Sequence, residues 1–239
     1  MRRALLLALV LSFALSPWKQ GDTAQRPWII PDSFFHHPTS RELREVIEGA
    51  AYVGERKGVA FRGDRVVYEY LLNHLDFASQ IARALGLSDY VIEQTGTGSY
   101  EATTPRGGWA LLNVVYTDRE KRVVLAQGKY GRAVVVLQYN SFDRRGESYI
   151  VNNLYGYVKA DNPILNVLLA LFGGTVHDRI EQVFMSVAEL SEQAYEAPNS
   201  FSDALLAHPE IQTGHLLEFA EILREAPLHE ARADSFPPS

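Results

Sequence analysis

After Gly173-Gly174, the apolar residues Val176, Ile180, Val183, Phe184, Val187 and Leu190 recur at helical spacing, and Asp178, Arg179, Glu181, Gln182 and Glu189 fall on the opposite side. Upstream, Asn162 suits an N-cap and Pro163 the first helical position, where its missing N–H costs nothing. The pattern predicts one long helix over Asn162 to Tyr195. Before it run six extended segments: Tyr90 to Thr95, Ser99 to Thr103, Trp109 to Thr117, Arg122 to Tyr130, Arg132 to Phe142 and Ser148 to Lys159. Pro105-Arg106-Gly107-Gly108, Thr117-Asp118-Arg119-Glu120 and Asp143-Arg144-Arg145-Gly146 are turn signals between them, so consecutive strands pair antiparallel. A helix this long must lay its apolar face on a large surface, and a curved antiparallel sheet supplies one.

The remaining patterns are shorter. Leu43, Val46, Ile47, Ala50 and Ala51 predict a short amphipathic helix within a Pro- and Gly-rich linker over 25–58. Arg65 to Leu72, with Val66, Val67, Tyr68 and Tyr70, reads as a strand. Phe77, Ile81, Ala82 and Leu85 then predict a helix that ends at Gly86, with Asp76 as its N-cap. Two helices over Asn199 to Ala207 and Pro209 to Arg224 fill 196–225, and 226–239 has no periodicity and reads as a disordered tail. At the other end, Met1-Arg2-Arg3 followed by twelve residues from Ala4 to Leu15, apolar except for Ser12, has the charge and length of a signal peptide. Residues 1–24 are therefore expected to be a signal segment or an N-terminal anchor, and the protein periplasmic or secreted.

Composition excludes several partners and chemistries. With a net charge of −6 and no Lys/Arg cluster, the chain is a poor ligand for nucleic acid or for anionic lipid surfaces. It has no cysteine, hence no disulfide, thiol nucleophile or Cys-based zinc site. His177 with Glu181, and His36-His37, each offer two donors where a metal site needs more, so no metal is expected. His74 and Asp76 would make a dyad without a nucleophile, since no G-x-S-x-G elbow is present. Gly96-Thr97-Gly98-Ser99 lacks the Lys-Ser/Thr of a phosphate loop and reads as a hairpin turn, as does Gly128 to Gly131. No catalytic residue and no cofactor is expected.

The order of elements resembles the START-like, or SRPBCC, superfamily. The texture of Tyr157-Val158-Lys159-Ala160-Asp161-Asn162-Pro163 entering the helix, and of Val183-Phe184-Met185-Ser186-Val187-Ala188-Glu189-Leu190 within it, is similar to that superfamily over Val59 to Tyr195. The resemblance implies an α+β helix-grip fold, a curved antiparallel sheet wrapped around one long C-terminal helix, with extra short helices at both ends. It also implies a ligand-binding domain over 59–195 whose grip holds a lipid, a sterol or another apolar or amphipathic small molecule. Trp109, Tyr139, Tyr155, Phe172 and Phe184 are the bulky residues on those strands and that helix, and are expected to line the site. The function expected is non-catalytic binding or transfer outside the cytoplasm. A cyclase- or hydrolase-type enzyme in the same cavity, or an assembly subunit whose cavity is merely a core, are the alternatives. The all-apolar run Ile164 to Phe172 is too short to span a bilayer; burial is its expected fate, with transient membrane contact as the alternative.

Overall fold

A computed structural model describes residues 39–105, 107–162 and 174–225, with the side chains of 174–180 excepted. The expected signal segment, residues 25–38 of the linker, the Ile164 to Phe172 run and the expected tail lie outside the described residues.

Seven antiparallel strands form one sheet: β1 Tyr52–Arg62, β2 Val91–Gly96, β3 Ser99–Thr103, β4 Trp109–Thr117, β5 Lys121–Gly128, β6 Gly131–Arg144 and β7 Glu147–Ala160. Their spatial order is β1-β7-β6-β5-β4-β3-β2, so a six-strand meander carries the first strand on its last. The tight turns follow from residue type. Arg145 and Gly146 both take positive φ, 55° and 86°, between β6 and β7, which is the backbone that matches the twist of a hairpin. The expected hairpin turns at Gly96 to Ser99 and Gly128 to Gly131 are present, with Gly96 paired to Ser99 and Gly128 to Gly131. Gly131 has a second reason to be glycine: a Cβ there would run into the main chain of Lys159 and Ala160 on β7.

The first strand, β1, is not among the expected extended segments. β1 is an edge strand with mostly exposed residues, so Glu55, Arg56 and Lys57 hide it from a hydrophobicity reading. A bulge between Arg56 and Val59 interrupts its pairing with β7, and Asn153 Oδ1 accepts from the Gly58 N–H at 2.9 Å to stabilise it.

Six helices complete the described chain: α1 Ser40–Glu48, α2 Arg65–Asn73, α3 Leu75–Ala84, α4 Gly174–Glu196, α5 Pro198–Leu206 and α6 Thr213–Glu225. α2 corrects the expectation of a strand at Arg65 to Leu72. Its β-branched and aromatic residues favour a strand, but Asp64 caps a helix there. The Asp64 carboxylate accepts from Val66 N–H at 2.7 Å and Val67 N–H at 3.3 Å. Val67, Tyr68, Leu71 and Leu72 then share one buried stripe at helical spacing. Packing overrides propensity. Asp76 is likewise not an N-cap: His74 occupies that position of α3, and Asp76 sits in the first turn.

α2, α3 and α4 cover one face of the sheet and share a core with Val124 of β5, Val135, Leu137 and Tyr139 of β6, and Ile150 and Leu154 of β7. The C-terminal end of α4 is tied down by polar contacts. Glu192 accepts from the Arg62 N–H at 3.2 Å, and the Tyr195 hydroxyl accepts from the Ser148 N–H at 3.0 Å. α1 lies against β6 and β7, where Glu42 and Glu45 pair with Arg132, and Glu45 also with Lys159. α5 and α6 extend the helical layer, with Phe219 of α6 stacked on Tyr70 of α2.

Candidate functional site

Strand alternation decides which side chains face the helices. On β7 these are Ile150, Asn152 and Leu154; on β6 they are Val135, Leu137 and Tyr139; on β5 they are Arg122 and Val124. Under α4 they meet Phe184 and Val187. This is the grip.

Its lining is apolar with a polar seam. Tyr139 and Asn152 are cross-strand partners, Tyr68 of α2 meets the Tyr139 ring edge-on at 5.5 Å, and Asn152 Nδ2 donates to the Tyr68 hydroxyl at 2.7 Å. Arg122 is 3% exposed. Its guanidinium donates to the Leu72 carbonyl and the Asn73 side chain, so it caps the C-terminal end of α2, where a cation suits the helix dipole. The Tyr100 hydroxyl holds the Asn73 carbonyl at 2.7 Å beside it. Burial pulls the Arg122 pKa below its ordinary value, opposed by Tyr139, Tyr100, Tyr68 and Glu69. Burial also pushes the phenol of Tyr68 far above its usual range, so it stays neutral and its hydroxyl serves only as a hydrogen-bonding group.

The seam is incompletely satisfied. Arg122 Nε, Asn152 Oδ1 and Ser191 Oγ are buried without a hydrogen-bond partner. Asn152 opens on a gap of about 10 Å³ bounded by Leu137, Leu154 and Phe184 and flanked by the Arg56–Glu181 ion pair at 2.6 Å. A second gap, of about 20 Å³, lies between α3, β2 and α4 beside Ser79, Tyr90 and Val187. Each is water-sized.

Of the five residues expected to line the site, two meet here. Tyr139 and Phe184 are both buried in the grip. Tyr155 is buried on the opposite face, opposite Val136 of β6 and Glu55 of β1, with Lys57 Nζ 5.6 Å from its ring centroid. Trp109 starts β4 and is 43% exposed. Phe172 lies outside the described residues. Sequence reading passed over Tyr68, Arg122 and Ser191. The one legible signal was Arg122, a cation opening the apolar run Val123-Val124-Leu125 with the same inward parity as Val124.

The sequence matches no family model and no characterised protein. Solved structures do resemble it. A START superfamily protein from Mycobacterium smegmatis is similar over 59% of this chain and 97% of its own, at 9% identity and a TM-score of 0.45. A conserved protein from Geobacillus kaustophilus is similar over 60% and 97%, at 14% identity and 0.42. A truncated norcoclaurine synthase from Thalictrum flavum is similar over 58% and 94%, at 12% identity and 0.40. The likeness is one of architecture; in this chain a seven-stranded antiparallel sheet is covered on one face by α2, α3 and α4.

Proposed function

We propose that the grip binds an amphipathic small molecule, with its apolar body against Leu137, Leu154 and Phe184 and an oxygen-bearing head at the polar seam. The observation that carries this is the pair of orphaned atoms, Asn152 Oδ1 and Arg122 Nε, on an otherwise apolar wall. An unsatisfied buried polar group costs about 1–3 kcal/mol, so a ligand that pairs with one regains that amount on binding. Covering roughly 300–400 Å² of ligand surface at about 25 cal/mol/Å² contributes on the order of 7–10 kcal/mol before ordering costs. Part of that must open the grip, because the described gaps are water-sized. The binding is non-catalytic and works outside the cytoplasm, which the charged start and apolar run of residues 1–24 support. Trp109 and Phe172 remain proposed contacts of cargo, and transient membrane contact through Ile164 to Phe172 is a proposed route of loading.

A second reading is favoured by the small size of the gaps: the grip is a packed core, and the protein is an assembly subunit. Native mass spectrometry of protein from its own host, with titration of fluorescent fatty-acid and sterol analogues, separates the two. A retained lipid-sized mass, or binding tighter than about 100 μM, roughly −5.5 kcal/mol, supports the carrier. An empty chain and no binding at that level replace it by the subunit. Fractionation that finds full-length chain, with 1–24 attached, soluble in the cytoplasm overturns the location.

A further inference from the structure

Away from the grip, three potential ligands converge where α6 crosses the junction of α2 and α3. One donor atom from each of His74, Asp76 and His215 lies within 4.8 Å of the other two. His74 is shared by the end of α2 and the start of α3, Asp76 stands in the first turn of α3, and His215 in the first turn of α6. The two imidazole rings are 4.5 Å apart, centre to centre. Asp76 is only 5% exposed, and its Oδ1 has no hydrogen-bond partner. A carboxylate oxygen buried this deeply without a partner loses its hydration and gains nothing in return, unless a cation stands beside it.

The surroundings fit a ligand set. The Tyr70 hydroxyl has one proton, and Glu218 Oε2 at 3.0 Å is its best acceptor. Tyr70 oxygen therefore accepts from His215 Nδ1, 3.2 Å away, which leaves the lone pair of His215 on Nε2. A carboxylate holding a ligating imidazole through its second nitrogen is the outer support such sites use, here relayed by one phenol. Tyr70, Phe77 and Phe219 wall the cluster with aromatic rings, at 6.4 Å, 5.5 Å and one helical turn from His215. Their bulk packs against the half-buried imidazoles and leaves room for solvent at the open side.

We propose that His74, Asp76 and His215 bind one divalent transition-metal ion, of which zinc is the type, and that the ion fastens α6 to the α2–α3 junction. Two imidazoles and a carboxylate suit zinc and not calcium or magnesium, which prefer all-oxygen sets. Tetrahedral bonds of about 2.0–2.2 Å put ligand atoms roughly 3.4 Å apart, so the donors close in by at most about 1.4 Å when the ion enters. Water fills the fourth position. Because 74–76 and 215 are far apart in the chain, the ion adds a cross-link that the aromatic packing of α6 lacks. The site needs no ligand in the grip.

The test uses untagged full-length protein stripped with a chelator, titrated calorimetrically with zinc chloride and melted with and without it. One equivalent should bind tighter than about 10 μM, and zinc should raise the melting temperature. Asp76→Asn should abolish both the tight equivalent and the thermal shift, while the metal-free variant melts at or above the wild-type temperature, since a buried charge has been removed. His215→Phe should also lose the tight equivalent; if it fails to fold, His74→Asn serves instead. No binding tighter than about 10 μM overturns the proposal, as does calcium or magnesium binding as well as zinc. Tight zinc binding that survives in Asp76→Asn and His74→Asn overturns it too, by locating the ion at other histidines.

Discussion

On β6, Val135, Leu137 and Tyr139 point at the helices, Val134 and Val136 point the other way, and all five are buried. The inner face is covered by α2, α3 and α4 and carries the polar seam of Arg122, Tyr68 and Asn152. The outer face has α1 as its described helix, anchored by buried Leu43 and Val46 and edged by the ion pairs of Arg132 and Lys159 with Glu45. There the buried groups are Val123, Leu125, Val134, Val136, Tyr155 and Tyr157. A sheet covered on both sides has strands that are apolar almost continuously, as parallel sheets do, rather than alternating. The difference that matters between the faces is therefore which side holds the unsatisfied polar atoms, not which side is dry.

The comparison breaks first at the bulkiest residue of the grip. Phe184→Ala should destabilise the protein by about 3–5 kcal/mol in urea unfolding, as for a packed core phenylalanine; a loss below about 1 kcal/mol would mean that Phe184 borders open space. Next comes the outer face. Leu43→Ala should cost about 2–3 kcal/mol, and a negligible loss would show that α1 is not part of the cooperative unit. Smaller still is Tyr68→Phe, which removes the acceptor of Asn152 Nδ2 and leaves a second orphan on that side chain; about 1–2 kcal/mol should be lost. With the fluorescent probes it should also change affinity, if the head of the ligand meets the seam. The smallest effect belongs to Tyr155→Phe. Stability should move by less than about 0.5 kcal/mol, and probe affinity should stay the same, because the hydroxyl stands on the other face from Phe184. A clear loss of probe binding there would mean that cargo sits against the outer face instead.

These contrasts also explain what could be read from residues alone. Strands β3 and β4 coincide with the runs expected at Ser99 to Thr103 and Trp109 to Thr117, because Gly-, Pro- and Asp-rich turns punctuate them. α3 and the helix from Gly174 follow from hydrophobic period. α2 was misjudged, because Val66, Val67, Tyr68 and Tyr70 have the side chains of a strand and only the Asp64 cap marks a helix. β1 is absent from the expected strands, because an edge strand need not be apolar.

Local chemistry, then, determined the turns, most strand limits, the amphipathic helix after Gly174 and, through element order, the helix-grip architecture. Each of these depends on residues within a few positions of one another, where dihedral preference and hydrophobic period act directly. Which face a buried tyrosine occupies was decided only in three dimensions. Tyr139 and Tyr155 each stand in a strand of mixed apolar and amide-bearing residues, and they differ by strand parity against a cover contributed from elsewhere in the chain. The meeting of His74 and Asp76 with His215 was likewise beyond reach of spacing, since α6 returns to α2 through the packing of Phe219 on Tyr70. Long-range burial made both choices, and no window of sequence contains the partner that enforces them.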